Sequence, residues 1–338
     1  MSRVLPRDPS RDPAWDAFVA AHPDSHFAQR RAWCGILTTR LGCEERSLVA
    51  EAGGRITGVL PLFRRPGAHP LFTPPGGLLA GDEATAAALL EAAAGPVREG
   101  RSSWLELRDQ KRRWPGLETV EENATLVLEL ADSEETQWKA FDAKLRNQIR
   151  KGMKSGFTVH WGADQLPAFH RVMLENMRDL GTPLMGQEYF RAVLDGFGDD
   201  ATLLVIRLNG EPAGAMFLVA HGGTLMDPWA SSLRRFFSAC PNQVLYWEAL
   251  RHAMRRGLAR FDFGRSQWDS NTFRFKTQWG ARPVPLYYQY VLAAGRRAPT
   301  VADQKSGFAL AVRAWRKLPL PLAGWIGPRV RRLFPEAL

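Results

Sequence analysis

The chain has 338 residues, 45% hydrophobic and 24% charged, a globular composition and a length that suits two domains. No apolar run approaches the roughly 20 residues that span a bilayer, and the N-terminal MSRVLPRDPSRDPAW lacks the apolar core of a signal peptide, so the expected location is cytoplasmic. Three cysteines (Cys34, Cys43, Cys240) at no metal-like spacing exclude a disulfide framework and predict a reduced, metal-free chain, while the net charge of +10 favours phosphate-bearing partners.

In chain order, His22-Pro-Asp-Ser-His26 has histidines four apart, but the proline and turn composition argue against a helical metal pair. Residues 47–63 predict strand, turn and strand around Gly53-Gly54. A loop from His69 to Gly81, an Ala/Leu-rich helix ending near Gly100 and the strand Trp104–Leu107 follow. The strand ATLVLEL then gives way, near Ala131–Glu135, to a helix with an apolar stripe of Trp138, Phe141, Leu145 and Ile149. Lys144, Arg146, Arg150, Lys151 and Lys154 fill much of the rest of that segment, and Gly156 releases the chain into a strand. These cations are a solvated face or a phosphate contact, with Arg150 and Lys151 the candidates for the latter.

Residues 202–220 predict a second hairpin, around Asn209-Gly210. Leu245, Ala249, Leu250, Ala253 and Met254 recur at helical spacing from Pro241, and Gly257 stops that helix. Phe261 and Phe263 alternate with Asp262 as in a strand. An irregular polar segment then leads to Phe275-Lys276-Thr277, where Lys276 is a candidate site cation.

The two halves repeat. Gly54 and Gly58 correspond to Gly210 and Gly214 at an offset of 156, and Leu105-Glu106 correspond to Phe261-Asp262 at the same offset. Hairpin, loop, helix and strand recur in one order, which predicts a duplicated α+β unit. The expected domains are 1–131 and 132–294, followed by a basic tail over 295–338 that holds nine Lys/Arg and two Asp/Glu. In the first copy Leu105-Glu106-Leu107-Arg108 is followed by QKRRWPG, with no Phe-Lys pair, so the chemistry is expected in the second. Phe308, Ala311, Val312 and Trp315 predict a short amphipathic helix in the tail, and LPLPLAGWIGPRVRRLF follows it. The tail either lies in a membrane interface, as a peripheral contact, or packs on the first domain.

Neither G-x-S-x-G nor a P-loop lysine occurs, so hydrolase-triad and nucleotide-triphosphatase chemistry is excluded. Several segments resemble FemAB-type proteins: KLRNQIRKGMKSGFTV, NMRDLGTPLMGQEYF with its Arg178-Asp179 pair, and LYWEALRHAMRRGLARFDFGRS followed by FRFKTQWGA. TPPGGLLAG and WLELR resemble the FemAB-like proteins found with exosortase (PEP-CTERM) exopolysaccharide loci. The resemblance implies two tandem GNAT-like domains, in the class of acyl-CoA N-acyltransferases, and acyl transfer to an amine.

The expected catalytic positions are Lys276, Phe275 and Asp262, the Phe-Lys pair on that resemblance, and the expected substrate-binding positions are Arg150, Lys151, Arg178, Trp229, Asn242, Trp247 and Arg265, with Trp229 a candidate sugar-stacking platform. Lys276 would stabilise an oxyanion or a phosphate, or else is a surface lysine flanking strand 286–293. Asp262 would be a general base or, preferably, a structural partner that orients Arg265. No bound cofactor is expected; the co-substrate is aminoacyl-tRNA or an acyl-CoA or acyl-carrier thioester. The acceptor implied is a nucleotide- or lipid-linked cell-envelope, peptidoglycan or exopolysaccharide precursor. Two departures bear on this. Arg235–Asn242 has no glycine where acetyl-CoA enzymes have a Gly-rich pyrophosphate loop, and Ile36 and Leu37 follow Trp33 where peptidoglycan members carry a lysine.

Overall fold

The computed structural model describes residues 2–65, 67–109, 112–299 and 309–333. It divides into two compact units, 1–122 with 285–306 and 332–338, and 123–284 with 307–331.

The first unit contains β1 (Arg3–Pro6), α1 (Asp12–Ala21), α2 (Arg31–Leu41), β2 (Glu44–Glu45), β3 (Leu48–Ala52), β4 (Arg55–Leu60), β5 (Phe63–Arg64), β6 (Leu71–Phe72), β7 (Leu79–Ala80), α3 (Glu83–Arg98) and β8 (Trp104–Asp109). One sheet runs β1-β3-β4-β7; in the other, β2, β5, β6 and β8 are successive neighbours. Asp82 caps α3 by accepting from the Thr85 N–H at 2.7 Å. The apolar side of α3 (Ala86, Leu89, Ala93, Val97) packs into a core with Leu60, Leu62, Leu105 and Leu107.

The chain passes between units within β9 (Glu118–Glu129). The second unit then adds α4 (Glu134–Ala140), α5 (Ala143–Lys154), β10 (Thr158–Trp161), α6 (Leu166–Leu180), α7 (Gln187–Phe197), β11 (Ala201–Leu208), β12 (Glu211–His221), β13 (Thr224–Ser232), α8 (Pro241–Arg255), β14 (Arg260–Gln267) and α9 (Asn271–Thr277). Its strands are ordered β10-β11-β12-β13-β14-β9. From Pro212 to Ala220, β12 is buried on both faces, as a central strand must be. Met216 and Leu218 face a core with α5 and α8, through Leu145, Ile149, Leu245, Ala249 and Leu250. Phe217 points the other way, into an aromatic cluster with Phe169, Phe190 and Trp229.

The duplication is visible to the level of single pairs. In β3–β4, Ala50 pairs Gly58 and Glu51 pairs Ile56, with a register shift between Ala50 and Glu51. In β11–β12, Ile206 pairs Gly214 and Arg207 pairs Pro212, with the shift between Ile206 and Arg207. Each of these positions matches at the offset of 156 read from the sequence. A Cβ on Gly58 would come within 2.8 Å of Leu89 Cδ1, and one on Gly214 within 2.7 Å of Leu245 Cδ1, again 156 apart. In both copies a leucine side chain of the helix fills the space that a Cβ on the hairpin would need.

Three expectations change. The basic helix is two helices: Phe141 is extended, and Asp142 caps α5 through the Leu145 N–H at 2.6 Å. The units also differ from the expected 1–131, 132–294 and 295–338. Strand β15 (Arg282–Leu292) pairs Tyr287–Leu292 with β8, so residues from 285 belong to the first unit. Of the expected tail, α10 (Ala309–Trp315) and α11 (Leu320–Arg331) pack on α6 of the second unit, while Ala298 N–H donates to Glu118 and the Leu333 carbonyl accepts from Arg65. Leu174 lies under Gly324, Leu184 under Gly327 and Val312 under Gly181. Phe308 and the pair Gln110-Lys111 lie outside the described residues.

Candidate functional site

Strands β13 and β14 run parallel and pair over only three positions, Thr224–Met226 against Arg260–Asp262. Beyond them each strand carries an irregularity that turns it away. In β13, Met226 pairs Val219 and Trp229 pairs Phe217, so an extra residue is taken up at Asp227-Pro228. Proline donates no ladder hydrogen bond and belongs at such a break. In β14, Asp262 pairs Val127 and Arg265 pairs Thr125, with the extra residue at Phe263-Gly264. Gly264 has φ +70°, the left-handed conformation of a bulge glycine. The strands therefore part directly after Met226 and Asp262.

Four ionisable side chains are buried at the parting. Lys276, 7% exposed, extends from α9 and donates to the Gly264 and Arg265 carbonyl oxygens at 2.9 and 3.1 Å. It satisfies the carbonyls that the bulge frees. Asp262 is 7% exposed and accepts from the Thr125 hydroxyl and from the Gly264 N–H at 2.8 Å. Asp227, 6% exposed, accepts from the Tyr246 hydroxyl on α8, and its Oδ1 has no hydrogen-bond partner. Burial pushes the Asp227 carboxyl up to about 7, against the opposing pull of Lys276 and Tyr246. Asp262 is also raised by burial, although Thr125, Gly264 and Lys276 oppose the rise. Burial lowers Lys276, and the two carboxylates counter it. The cluster thus holds two acids and one ammonium, and the acid with an unpartnered oxygen holds its proton near neutrality.

Aromatic rings wall the cluster. Tyr246 stacks on Phe263 with centroids 5.1 Å apart, and half-buried Phe275 lies 5.2 Å from Tyr246. The expected "irregular polar segment" is in part α9, capped by Ser270 accepting from the Phe273 N–H at 3.1 Å. That helix turns Lys276 inward and makes it a buried residue, not a surface lysine flanking β15.

The structure brings together Lys276, Asp262, Phe275 and, through its carbonyl, Arg265, whose side chain is exposed. Asp227 and Tyr246 join them and were not among the expected site residues. The signal for Asp227 was an acid followed by proline inside an apolar strand. The remaining candidates lie elsewhere in the unit. Trp247 is a core side chain, with centroids 5.3 Å from Trp138 and 5.7 Å from Phe141. Trp229 belongs to the aromatic cluster under α6 and α7, 5.2 Å from Phe190. Arg178 holds the tail, donating to the Leu318 carbonyl at 2.9 Å and pairing with Asp179.

A second group of candidates gathers at the start of α8. Cys240 adopts φ +59° and does the turning that glycine would otherwise do, and Pro241 opens the helix. Asn242 Oδ1 accepts from the Ser232 hydroxyl at 2.7 Å. Helix α5 lies against this turn: a Cβ on Gly152 would come within 2.6 Å of Val244 Cγ2 and 3.0 Å of the Cys240 carbonyl. Arg150 and Lys151 are exposed on that same helix, with Arg150 5.2 Å above Trp138.

In the first unit the position of Asp262 is taken by Glu106, 8% exposed, in the parallel pair β6–β8. Its cation comes from its own strand: Arg108 Nε donates to Glu106 Oε1 at 2.6 Å. The first copy did not lose a cation; it holds one two residues along β8 in place of one on a following helix.

Residues 139–277 match the acetyltransferase (GNAT) domain family. No curated protein matches the sequence significantly. Among solved structures the chain is similar to FemX (TM-score 0.69, 15% identity), covering 92% of this chain and 100% of that one. It is similar to a tandem GNAT protein from the clavulanic acid biosynthesis pathway (TM-score 0.58, 13% identity, 88% and 100% covered). It is also similar to the C-terminal domain of a putative lysylphosphatidylglycerol synthetase from Agrobacterium fabrum (TM-score 0.58, 12% identity, 90% and 95% covered). The architecture is mixed α+β with GNAT-like domains and FemAB-like structural likeness. The domain match and the fold together support an acyltransferase-type enzyme.

Proposed function

We propose that this protein is an N-acyltransferase that passes an acyl group from an acyl-CoA or acyl-carrier thioester to an amine. The observation that carries this is the parting of β13 from β14 over buried Asp227, Lys276 and Tyr246, within a segment matching the GNAT domain. In such a transfer the amine nitrogen bonds the acyl carbon and the carbon–sulfur bond breaks. The amine gives up a proton and the leaving thiolate takes one. Asp227 is our candidate for receiving the amine proton, because an acid near pKa 7 is matched to neutral pH. An ammonium has three donors; Lys276 spends two on carbonyls and keeps one for an oxyanion.

The donor's phosphates would lie at the start of α8. Pro241 has no N–H to give, so the first-turn donors there are Asn242 and Gln243. Arg150 and Lys151, on the helix bordering that turn, supply charge.

A second donor is aminoacyl-tRNA, favoured by the glycine-free turn and by the FemAB-like motifs. With it the acceptor would be a nucleotide- or lipid-linked envelope or exopolysaccharide precursor, and the exosortase-associated likeness of TPPGGLLAG and WLELR supports the exopolysaccharide case.

Thermal shift against acyl-CoAs, aminoacyl-tRNA and UDP-sugars separates these donors. Acyl-CoA at about 100 times its Kd should stabilise the fold by about 2.7 kcal/mol. A shift with aminoacyl-tRNA alone would transfer the assignment to the second donor. Lys276→Met and Asp227→Asn should each cut the transfer rate by about 10²-fold or more. Full activity in both would remove the site, whichever donor is correct.

A further inference from the structure

Helix α11 carries two opposite faces. At about 100° per residue, Ala323, Gly327 and Arg331 fall on one side, and all three are buried. Gly327 rides over the Leu184 backbone, and the Arg331 guanidinium reaches Met185 Sδ at 3.3 Å, so this side is the one seated on the unit. Leu322, Trp325 and Arg329 fall on the opposite side and are exposed. Trp325, 60% exposed, lies under the Arg329 guanidinium at 4.2 Å. On α10, Val312 packs over Gly181 while Leu310 stands 80% exposed beside Arg313.

Eight large hydrophobic side chains are exposed among the described residues, and four of them lie between Leu310 and Leu333. That segment contains no Asp or Glu and six arginines and lysines. Of the six, Arg313, Arg316, Lys317, Arg329 and Arg332 are exposed. Packing within the unit does not account for an apolar row on the outward side, since the inward side already makes the contact. Cations alone would suit any polyanion. Interleaved with Leu310, Leu322 and Trp325, they suit a partner that offers negative charge at its surface and hydrocarbon just beneath.

We propose that α10 and α11 form a docking surface for an anionic phospholipid bilayer. The two helices lie in the headgroup region, with Leu322 and Trp325 inserted and the cations at the phosphates. This surface stands on observations independent of the acyl-transfer assignment.

The test uses the full chain, sedimented with vesicles of phosphatidylcholine alone or mixed with phosphatidylglycerol. Two double variants accompany it, Leu322→Ser with Trp325→Ser and Arg313→Glu with Lys317→Glu; both leave the seated face untouched. The wild type should co-sediment with the anionic vesicles, fail to do so with the neutral ones, and be released by salt. Each double variant that melts like wild type should bind at least about tenfold more weakly. Undiminished binding by the variants, or equal binding to neutral vesicles, would overturn the proposal. So would binding to an RNA oligonucleotide without binding to vesicles, or burial of the patch by self-association. If a variant fails to fold, the salt series and the neutral-vesicle arm on the wild type decide.

Discussion

Asp227 differs from its neighbours in having an unpartnered carboxyl oxygen and an environment that pushes it up to about 7. An unfolded aspartate titrates near 3.9. The folded chain therefore keeps a proton that the unfolded chain releases. The stabilisation this gives is complete below about pH 4 and is lost as pH rises through about 7. Asp227→Asn imitates the protonated form, so its stability relative to wild type should grow by on the order of 2–3 kcal/mol between pH 5 and 8. Urea titrations of both proteins across that range measure this, and a pH-independent difference would mean that Asp227 does not titrate near neutrality. Of the four buried ionisable residues, Lys276 and Asp262 were legible because they sit in the family-like motif. Asp227 and Tyr246 were not: their chemistry arises from being packed together, and they are 19 residues apart in the chain.

At the scale of elements, the repeat was legible because a hairpin turn and the close approach of a helix both demand glycine, and glycine leaves a mark in sequence. Gly58→Ala and Gly214→Ala should each cost about 1–3 kcal/mol, since the new methyl meets Leu89 or Leu245 in a filled core. Melting curves of the two variants check it; if neither falls, the helices can slide over their hairpins. Ser270→Ala should remove about 1 kcal/mol of support from α9. If α9 holds Lys276 in place, transfer activity should fall with that change by more than the fraction unfolded. The break between α4 and α5 was hidden because Trp138, Phe141, Leu145 and Ile149 keep helical spacing across it, and periodicity does not register a cap at Asp142.

For the whole molecule, the described tail helices are a structural part of the second unit. Ending the chain after Gly295 would uncover Leu174 on α6 and the turn at Gly181 and Leu184 that follows it, and the truncated protein should melt at a lower temperature than the full chain. Scanning calorimetry of both checks this, and an unchanged transition would show that the seated face contributes nothing. The outcome also governs how the vesicle experiment is built, because a truncation that disturbs α6 confounds loss of binding with loss of fold.

The sequence by itself determined the α+β class, the duplication to the residue, and the basic, apolar tail. Each is written locally, in periodicity, turn glycines and charge. Only the tertiary structure decided that β13 and β14 part at Asp227-Pro228 and Phe263-Gly264, that Trp247 lies in the core while Arg178 donates to the Leu318 carbonyl, and that α10 and α11 rest on α6. Those outcomes depend on which burial of apolar surface and which pairing of buried polar groups wins among segments distant in the chain, and no local pattern records that competition.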